Sequence, residues 1–500
     1  MRKTKFPATT TTTLTIPNFL NGINTSIDEG IQSLQYALDI RNFSFSDGAL
    51  KNGIGYNNFV DTICKDAINK TNLKHQLEQI GSIERIFTFS AFNESSASKE
   101  TKLLIINNQY QVYYINIYDE LPELVKLNIQ LTSTPTAVEY KLNNEDVIII
   151  SSETDNMFVW NGVSAPYEVL DSPKISSMAM HYERLFVTTN KEKNTIWFSD
   201  DLDPTNWNVN LDDAGYISLV DERGALIKVI SFLDYIYIFR EYGISRLSAF
   251  GSQADFSISN LFVSSGRIYP DSVCVCGDVI LFLASDGIYR FDGISTTKIL
   301  TNIENNISNI TNQTTASCYY NGSYYLACKY NFLNDSNDIT KDNFSNALLE
   351  IDVNTFKLKN ISYGVNINYL TSIKTDKYSG VLALAKLYNS SNFYIVNLCN
   401  NAKFLNSNLE KSWISPYSNL GDISKNKTLK NILIETKTPI ELSIFHDSTA
   451  TTFTFEKGRK NIIKRTNLPL SEFAFKIVSK DESCLIRSLK FVFSSAAIIE

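Results

Sequence analysis

Between residues 102 and 397 the apolar positions recur in a fixed order. A β-rich run crosses a polar turn and returns as a second β-rich run ending in Gly or Asp. Residues 146–162 (DVIIISSETDNMFVWNG), 234–251 (DYIYIFREYGISRLSAFG) and 278–293 (DVILFLASDGIYRFDG) show it most clearly. Hairpin starts fall near Lys102, Val147, Arg184, Tyr235, Val279, Ser323 and Val381. Their mean spacing of about 46 residues is the repeat expected of propeller blades. Ile236 and Ile238, then Ile244 and Leu247, alternate with polar neighbours, as do Val279, Leu281 and Leu283. Such runs, bounded by Gly and Asn turns, predict half-buried strands in sheets that pack face to face. Closing those sheets into a ring would also protect their edges. The pattern places blades at 82–130, 135–172, 175–220, 224–264, 271–303, 315–362 and 368–414. It is weakest in the first and last, so six and seven blades both fit.

The flanks read differently. Residues 1–13 form a polar arm. Residues 14–56 lack hairpin symmetry and suggest an extended strap, with turns at Asn21-Gly22, Asp47-Gly48 and Asn52-Gly53. Val60, Ile63, Cys64, Ala67 and Ile68 recur at helical spacing, predicting a short amphipathic helix over 58–70. After Ser418 six short strands are expected, at 431–435, 440–445, 451–456, 461–464, 472–478 and 485–493. A β-sandwich of about 80 residues accounts for them better than another blade. The expected fold is therefore all-β: a six- or seven-bladed β-propeller (82–416), preceded by an N-terminal arm and strap with a short helix (1–81) and followed by a small C-terminal β-sandwich (417–500).

Composition narrows the function classes. The chain has 500 residues, 43% of them hydrophobic, enough for a large core and more than one domain. Its 26 Tyr and 30 Phe favour strands. The net charge of −7 argues against bulk nucleic-acid binding, which needs a basic surface. Seven scattered cysteines without a CxxC suit a reducing compartment better than a disulfide framework. Cys274 and Cys276 share one face of a strand and cannot easily bridge each other. Pro7 and the Thr9–Thr13 run follow Arg2–Lys5 where a secretory leader would need apolar residues. No run reaches 18 apolar residues, so no membrane span is expected.

Few residues suggest chemistry. His75, His181 and His446 lie in three separate predicted segments, none with a ligand partner at metal spacing, so no metal or cofactor is expected. The most acidic stretch, Ser199–Trp207, contains Asp200, Asp201 and Asp203. It approaches the sialidase Asp-box, but Asp203 replaces the required Gly and Trp207 comes one residue late. It also approaches a calcium loop, without the turn Gly or the distal Glu. The plainer expectation is a rim turn in which Asp side chains cap amides and Trp207 packs on a blade edge. Gly53-Ile54-Gly55 precedes no strand–helix unit that would cradle phosphate. One dense basic cluster, Lys457, Arg459, Lys460, Lys464 and Arg465, fits either an acidic partner or DNA phosphates, or a solvated turn guarding an exposed sheet edge.

These segments resemble the head–tail junction and short-tail proteins of tailed bacteriophages. NGINTSIDEGIQSLQYALDIRNFSFSDGALKNGIGY (21–56) is similar to the opening of such proteins. YERLFVTTNKEKNTIWFSDDLDPTNW (182–207) is similar to one of their blades. FREYGISRLSAFG with DSVCVCGDVILFLASDGIYRFDG is similar to their central blade pair. NIIKRTNLPLSEFAFKIVSK with LIRSLKFVF is similar to the C-terminal β domain of packaged-DNA stabilisation proteins.

The resemblance implies a non-enzymatic virion component made in the bacterial host cytoplasm: a plug, nozzle or hub in the head–tail connector or tail. It implies a homo-oligomeric ring contacting portal, adaptor and tail proteins near packaged double-stranded DNA. The family offers no catalytic residues to carry over. Net acidity would suit a channel along which DNA slides. Two other classes stay open: a propeller glycosidase using acids within 200–213, and a glycan-binding receptor-recognition protein using aromatic residues on blade loops. Both predict a concave pocket lined by acids or aromatic rings.

Overall fold

The computed structural model describes residues 10–28, 32–93, 97–210, 213–308, 310–334, 344–420, 425–446, 449–456 and 462–497. Five antiparallel sheets of four strands follow one another along 83–130, 135–169, 175–218, 226–263 and 274–299. A sixth blade uses Thr315–Tyr320, Ser323–Cys328, Ser345–Asp352 and the start of the long strand Leu358–Lys374. At Gly364 (φ +87) this strand leaves blade 6, and its second half becomes the inner strand of blade 7. The left-handed backbone there suits a residue without Cβ.

Blade 7 continues through Ser379–Leu387 and Tyr394–Cys399, and its fourth strand comes from the other end of the chain. Gly55–Asn58 pairs antiparallel with Tyr394–Cys399, Tyr56 opposite Leu398. Among the described residues the ring therefore has seven blades. Its closure is sealed where Asn368 Nδ2 of blade 7 donates to Glu84 Oε2 of blade 1 at 3.3 Å.

Seven apolar clusters hold the ring, one at each junction between blades. The second strand of each blade is sandwiched between neighbouring blades, so both of its faces are apolar. In Val279–Ala284, Val279, Leu281 and Leu283 face blade 6, while Ile280 and Phe282 face Tyr237 and Phe239 of blade 4. All six residues are buried. This explains the near-continuous apolar runs VIII (147–150) and VILFLA (279–284). Outer strands such as Tyr167–Val169 are largely exposed.

The strap expected over 14–56 is instead a series of strands shared between two bodies. Thr10–Ile16 pairs with Leu485–Ala497, and Asp39–Arg41 with Lys411–Ile414. Phe43–Ser44 pairs with the outer strand of blade 6, Leu50–Asn52 with Leu485–Ala497. Boundaries at 81/82 and 416/417 thus cut through shared sheets. Lys411–Ile414, expected in the last blade, lies in the sandwich. The cause is Trp413, fully buried, stacked on Phe475 at 5.1 Å and met edge-on by Phe19 at 5.7 Å.

The sandwich packs a five-stranded sheet (Asp39–Arg41, Lys411–Ile414, Ala474–Ser479, Ile440–His446, Thr449–Phe455) on a second one. The second is built from Leu485–Ala497, Lys425–Thr436, Ile462–Leu470 and the N-terminal strands. One continuous apolar cluster joins Leu442, Phe475 and Phe491 of the sandwich to Leu281 and Leu326 of blades 5 and 6, with Phe19, Ile40 and Phe43 from the N-terminal strands.

One helix was expected over 58–70; two form, Phe59–Ile63 and Ala67–Gln79. The first ends where Cys64 turns extended, and Asp66 caps the second by accepting the amides of Ile68 (2.9 Å) and Asn69 (3.0 Å). Ile68, expected on the apolar face, is 70% exposed.

Candidate functional site

The acidic stretch lies in the loop between the third and fourth strands of blade 3, and its carboxylates serve the loop itself. Asp200 Oδ1 accepts the amides of Asp201 (2.8 Å) and Asp213 (3.1 Å), while Oδ2 accepts Asn206 Nδ2 (3.0 Å). Asp203 Oδ1 accepts the amide and hydroxyl of Thr205 at 2.9 and 2.6 Å. Buried Arg184 spans the loop's base, donating to the carbonyls of Ser199 and Asp213 and to Asp213 Oδ2 at 3.0 Å. Asp201 is more loosely held, 3.9 Å from Arg184 Nε and half exposed. Trp207 packs between blades 2 and 3. The sequence thus builds a rim turn here, in keeping with the plainer expectation.

Beside this loop runs a groove of about 660 Å³, within the usual range for ligand sites, lined by Tyr182, Glu183, Arg184, Asp201, Asp213 and Phe250. The Tyr182 and Phe250 rings meet edge-on at 5.8 Å and are largely exposed. The local field is negative. Burial raises the Tyr140 pKa, and the carboxylates of Asp203, Glu183 and Asp201 raise it further. His181, also on this groove, bonds Ser231 Oγ through Nδ1 at 2.9 Å, and burial holds its pKa below the usual value.

The inner strands converge on an axial cavity of about 380 Å³. It carries both signs of charge, Arg85 and Lys228 beside Glu153 and Asp271, and aromatic groups from Phe87 and Tyr369. Arg85 lies 5.1 Å over the Tyr369 ring. The Tyr369 pKa is pushed up to about 12 by burial, against the opposing pull of Arg85. The volume of this cavity is that of a small-molecule site.

The basic cluster is only partly placed, because Lys457, Arg459 and Lys460 lie outside the described residues. Lys464 and Arg465 are exposed on Ile462–Leu470, the last strand of its sheet, opposite Ile432 and Asn431. That is the position for charges that keep an edge from pairing. The structure does not bring them near the acidic loop. His75 sits on the second helix, and His446 bonds Thr451 Oγ1 at 3.0 Å. Among the described residues no three His, Cys, Asp or Glu side chains group to hold a metal ion, and all seven cysteines are free.

Sequence reasoning missed the axial set and the groove wall. Arg85, Lys228 and Asp271 become neighbours only when the ring closes, and no local pattern marks them. Phe250 and Tyr182 could have been noticed as apolar residues inside polar turns.

No family model matches the chain, and no curated protein matches it. Among solved structures, Raptor from Chaetomium thermophilum aligns at 12% identity with a TM-score of 0.35, over 51% of this chain and 24% of that one. The chain thus spans about a quarter of Raptor. YCF48 from Cyanidioschyzon merolae aligns at 10% identity and TM-score 0.32, over 45% and 74% of the two chains. BBS1N, solved in complex with ARL6DN, aligns at 10% identity and TM-score 0.39, over 62% and 94%. The propeller assignment rests on the chain's own sheets, ring closure and seven inter-blade cores.

Proposed function

We propose that this chain is a non-enzymatic structural protein of a tailed-phage virion, in the head–tail connector or tail, where it helps retain packaged DNA and links portal and adaptor to the tail. The observation that carries this reading is the course of residues 10–58. They contribute strands to both sandwich sheets, extend blade 6 and close blade 7. Two domains that could have hinged are thereby fastened into one body with a shared core, the property required of a part that transmits force. Of the carboxylates that could have suggested glycosidase chemistry, Asp200, Asp203 and Asp213 are engaged in turn and ion-pair contacts. Catalysis forms no part of the proposal.

Such a part would assemble as a ring of identical copies, contacting portal, adaptor and tail proteins and lying near the exiting DNA without reading its sequence. Cross-linking mass spectrometry on purified virions tests this. Cross-links from this chain to itself and to portal or tail proteins are expected. Absence of the chain from purified virions, or cleavage of capsular polysaccharide by the purified protein, would overturn the proposal.

A further inference from the structure

In each blade the hairpin between strands 1 and 2 and the loop between strands 3 and 4 lie on the same rim. On this rim blades 3 and 4 place exposed apolar side chains beside exposed carboxylates. Tyr182, Leu202, Leu233 and Phe250 stand at these tips and are 56–71% exposed. They are joined by direct contacts. The Tyr182 and Phe250 rings meet at 5.8 Å, the Leu202 amide donates to the Glu183 carbonyl at 3.2 Å, and His181 bonds Ser231 beside Leu233. A contiguous apolar patch with a polar border marks an interaction surface. Here the border is acidic: Glu183 and Asp201 are exposed along the groove, and Asp201 makes only the 3.9 Å contact with Arg184.

The outer face of the C-terminal sandwich carries the opposite charge. Lys490 lies opposite Leu433, and Val492 and Arg465 lie on either side of Asn431, so these five side chains share one face of the sheet. Phe491 and Ile432, alternating with them, point the other way into the core. Lys490 and Arg465 are exposed, and Leu433 and Val492 beside them are half-buried. Glu435, on the same face, is taken up by Arg487 at 2.9 Å. The face is therefore basic with an apolar centre, the complement of the acidic rim.

On the reading that identical copies form a ring, we propose that the rim of blades 3 and 4 in one copy docks the outer sandwich face of the next. Arg465 and Lys490 meet Glu183 and Asp201, while Leu433 and Val492 cover Tyr182 and Phe250. Charge selects this occupant. Two copies meeting rim to rim would set carboxylate against carboxylate, whereas rim against sandwich pairs opposite signs. Neither Arg465 nor Lys490 lines the acidic groove of its own chain, which leaves that groove to a neighbour. Because the two faces differ, the contact runs head to tail, the kind from which a closed ring is built.

Carbodiimide coupling, which joins amines directly to carboxylates in contact, tests this on a mixture of unlabelled and isotope-labelled full chain. Links from Lys490 to Glu183 or Asp201 are expected between copies of different label. Two charge-swapped variants extend the test: Glu183→Lys with Asp201→Lys, and Arg465→Glu with Lys490→Glu. Each alone should weaken self-association about tenfold or more in sedimentation velocity, and mixing the two should restore it, since each then offers the other an opposite charge. Phe250→Ser, which alters no charge, should weaken it several-fold. Far-ultraviolet circular dichroism shows whether each variant is folded; if one is not, the mixed-label link decides alone. Absence of that link, self-association indifferent to both swaps, or no restoration on mixing folded variants overturns the docking. Self cross-links at other residues in virions could still be found in that case, so the two proposals fail separately.

Discussion

The phenol of Tyr56 donates to Ser362 Oγ at 2.6 Å across 306 positions of sequence. Tyr56 is fully buried in the strand that closes blade 7, and Ser362 lies on the long strand that passes from blade 6 to blade 7. With Phe404 packed 5.8 Å from its ring, Tyr56 locks the N-terminal segment into the last junction of the propeller. Burial raises its pKa well above that of a free phenol, so it stays a neutral donor.

Removing that hydroxyl should be costly. Tyr56→Phe leaves Ser362 without its partner and should destabilise by about 1–3 kcal/mol. Tyr56→Ala also opens a cavity and should cost about 3–5 kcal/mol. Urea unfolding followed by tryptophan fluorescence measures both. Equal stability of wild type and Tyr56→Ala would mean that the closing strand is not part of the cooperative unit.

A second junction depends on charge. Arg240 is fully buried on blade 4; it donates to Asp221 Oδ1 at 2.7 Å and to the carbonyls of Gly224 and Leu219. Burial alone would raise the Asp221 pKa, but the Arg223 amide and the Arg240 and Arg223 guanidiniums together hold it below the ordinary value. Asp221→Asn should cost about 3 kcal/mol, the low end for orphaning a buried ion, because Asp221 is 22% exposed. A carboxylate with a depressed folded pKa adds stability that is complete above its unfolded value, about 3.9, and lost as the pH falls through the folded value. Wild-type stability should therefore drop below about pH 4 more steeply than that of Asp221→Asn. Parallel pH profiles would contradict this assignment.

In the acidic loop the prediction separates two neighbouring contacts. Arg184→Met should destabilise by about 1–3 kcal/mol, since it leaves two carbonyls at the base of the loop without their donor, while Asp213, 48% exposed, can turn to water. Asp201→Asn should change stability by less than about 0.5 kcal/mol, because that exposed carboxylate makes only a long ion pair. Thermal denaturation of the two variants side by side tests the contrast.

Lys464 and Arg465 are expected to protect an edge. Replacing both with valine should leave urea stability near that of wild type but promote concentration-dependent aggregation, seen by light scattering, through the unpaired side of Ile462–Leu470. Unchanged solubility would remove the edge-guarding role.

Much of the architecture was legible in the sequence because a second strand covered on both faces must be apolar throughout. The hairpin starts at Val147, Arg184, Tyr235, Val279 and Ser323 all fall within the first few residues of observed second strands. The six sandwich strands also have counterparts, though several run longer than expected. What could not be read was pairing across the whole chain. Gly55–Asn58 is too short and polar to announce itself as a strand; its partner Tyr394–Cys399 makes it one. Trp413 looked like the end of a blade because its partners, Phe19 and Phe475, are distant in sequence. The acidic loop was legible as a turn because Asp203 and Thr205 are two residues apart. The groove beside it was not, since Phe250 arrives from the next blade.

Hydrogen exchange on the intact chain tests most directly the claim that residues 10–58 fasten propeller and sandwich into one body. Amides of 55–58 and 10–16 should be protected to the same degree as those of their partners 394–399 and 489–495, and all should open together as denaturant is added. Exchange of 55–58 at the rate of a free terminus, while 394–399 stays protected, would contradict it.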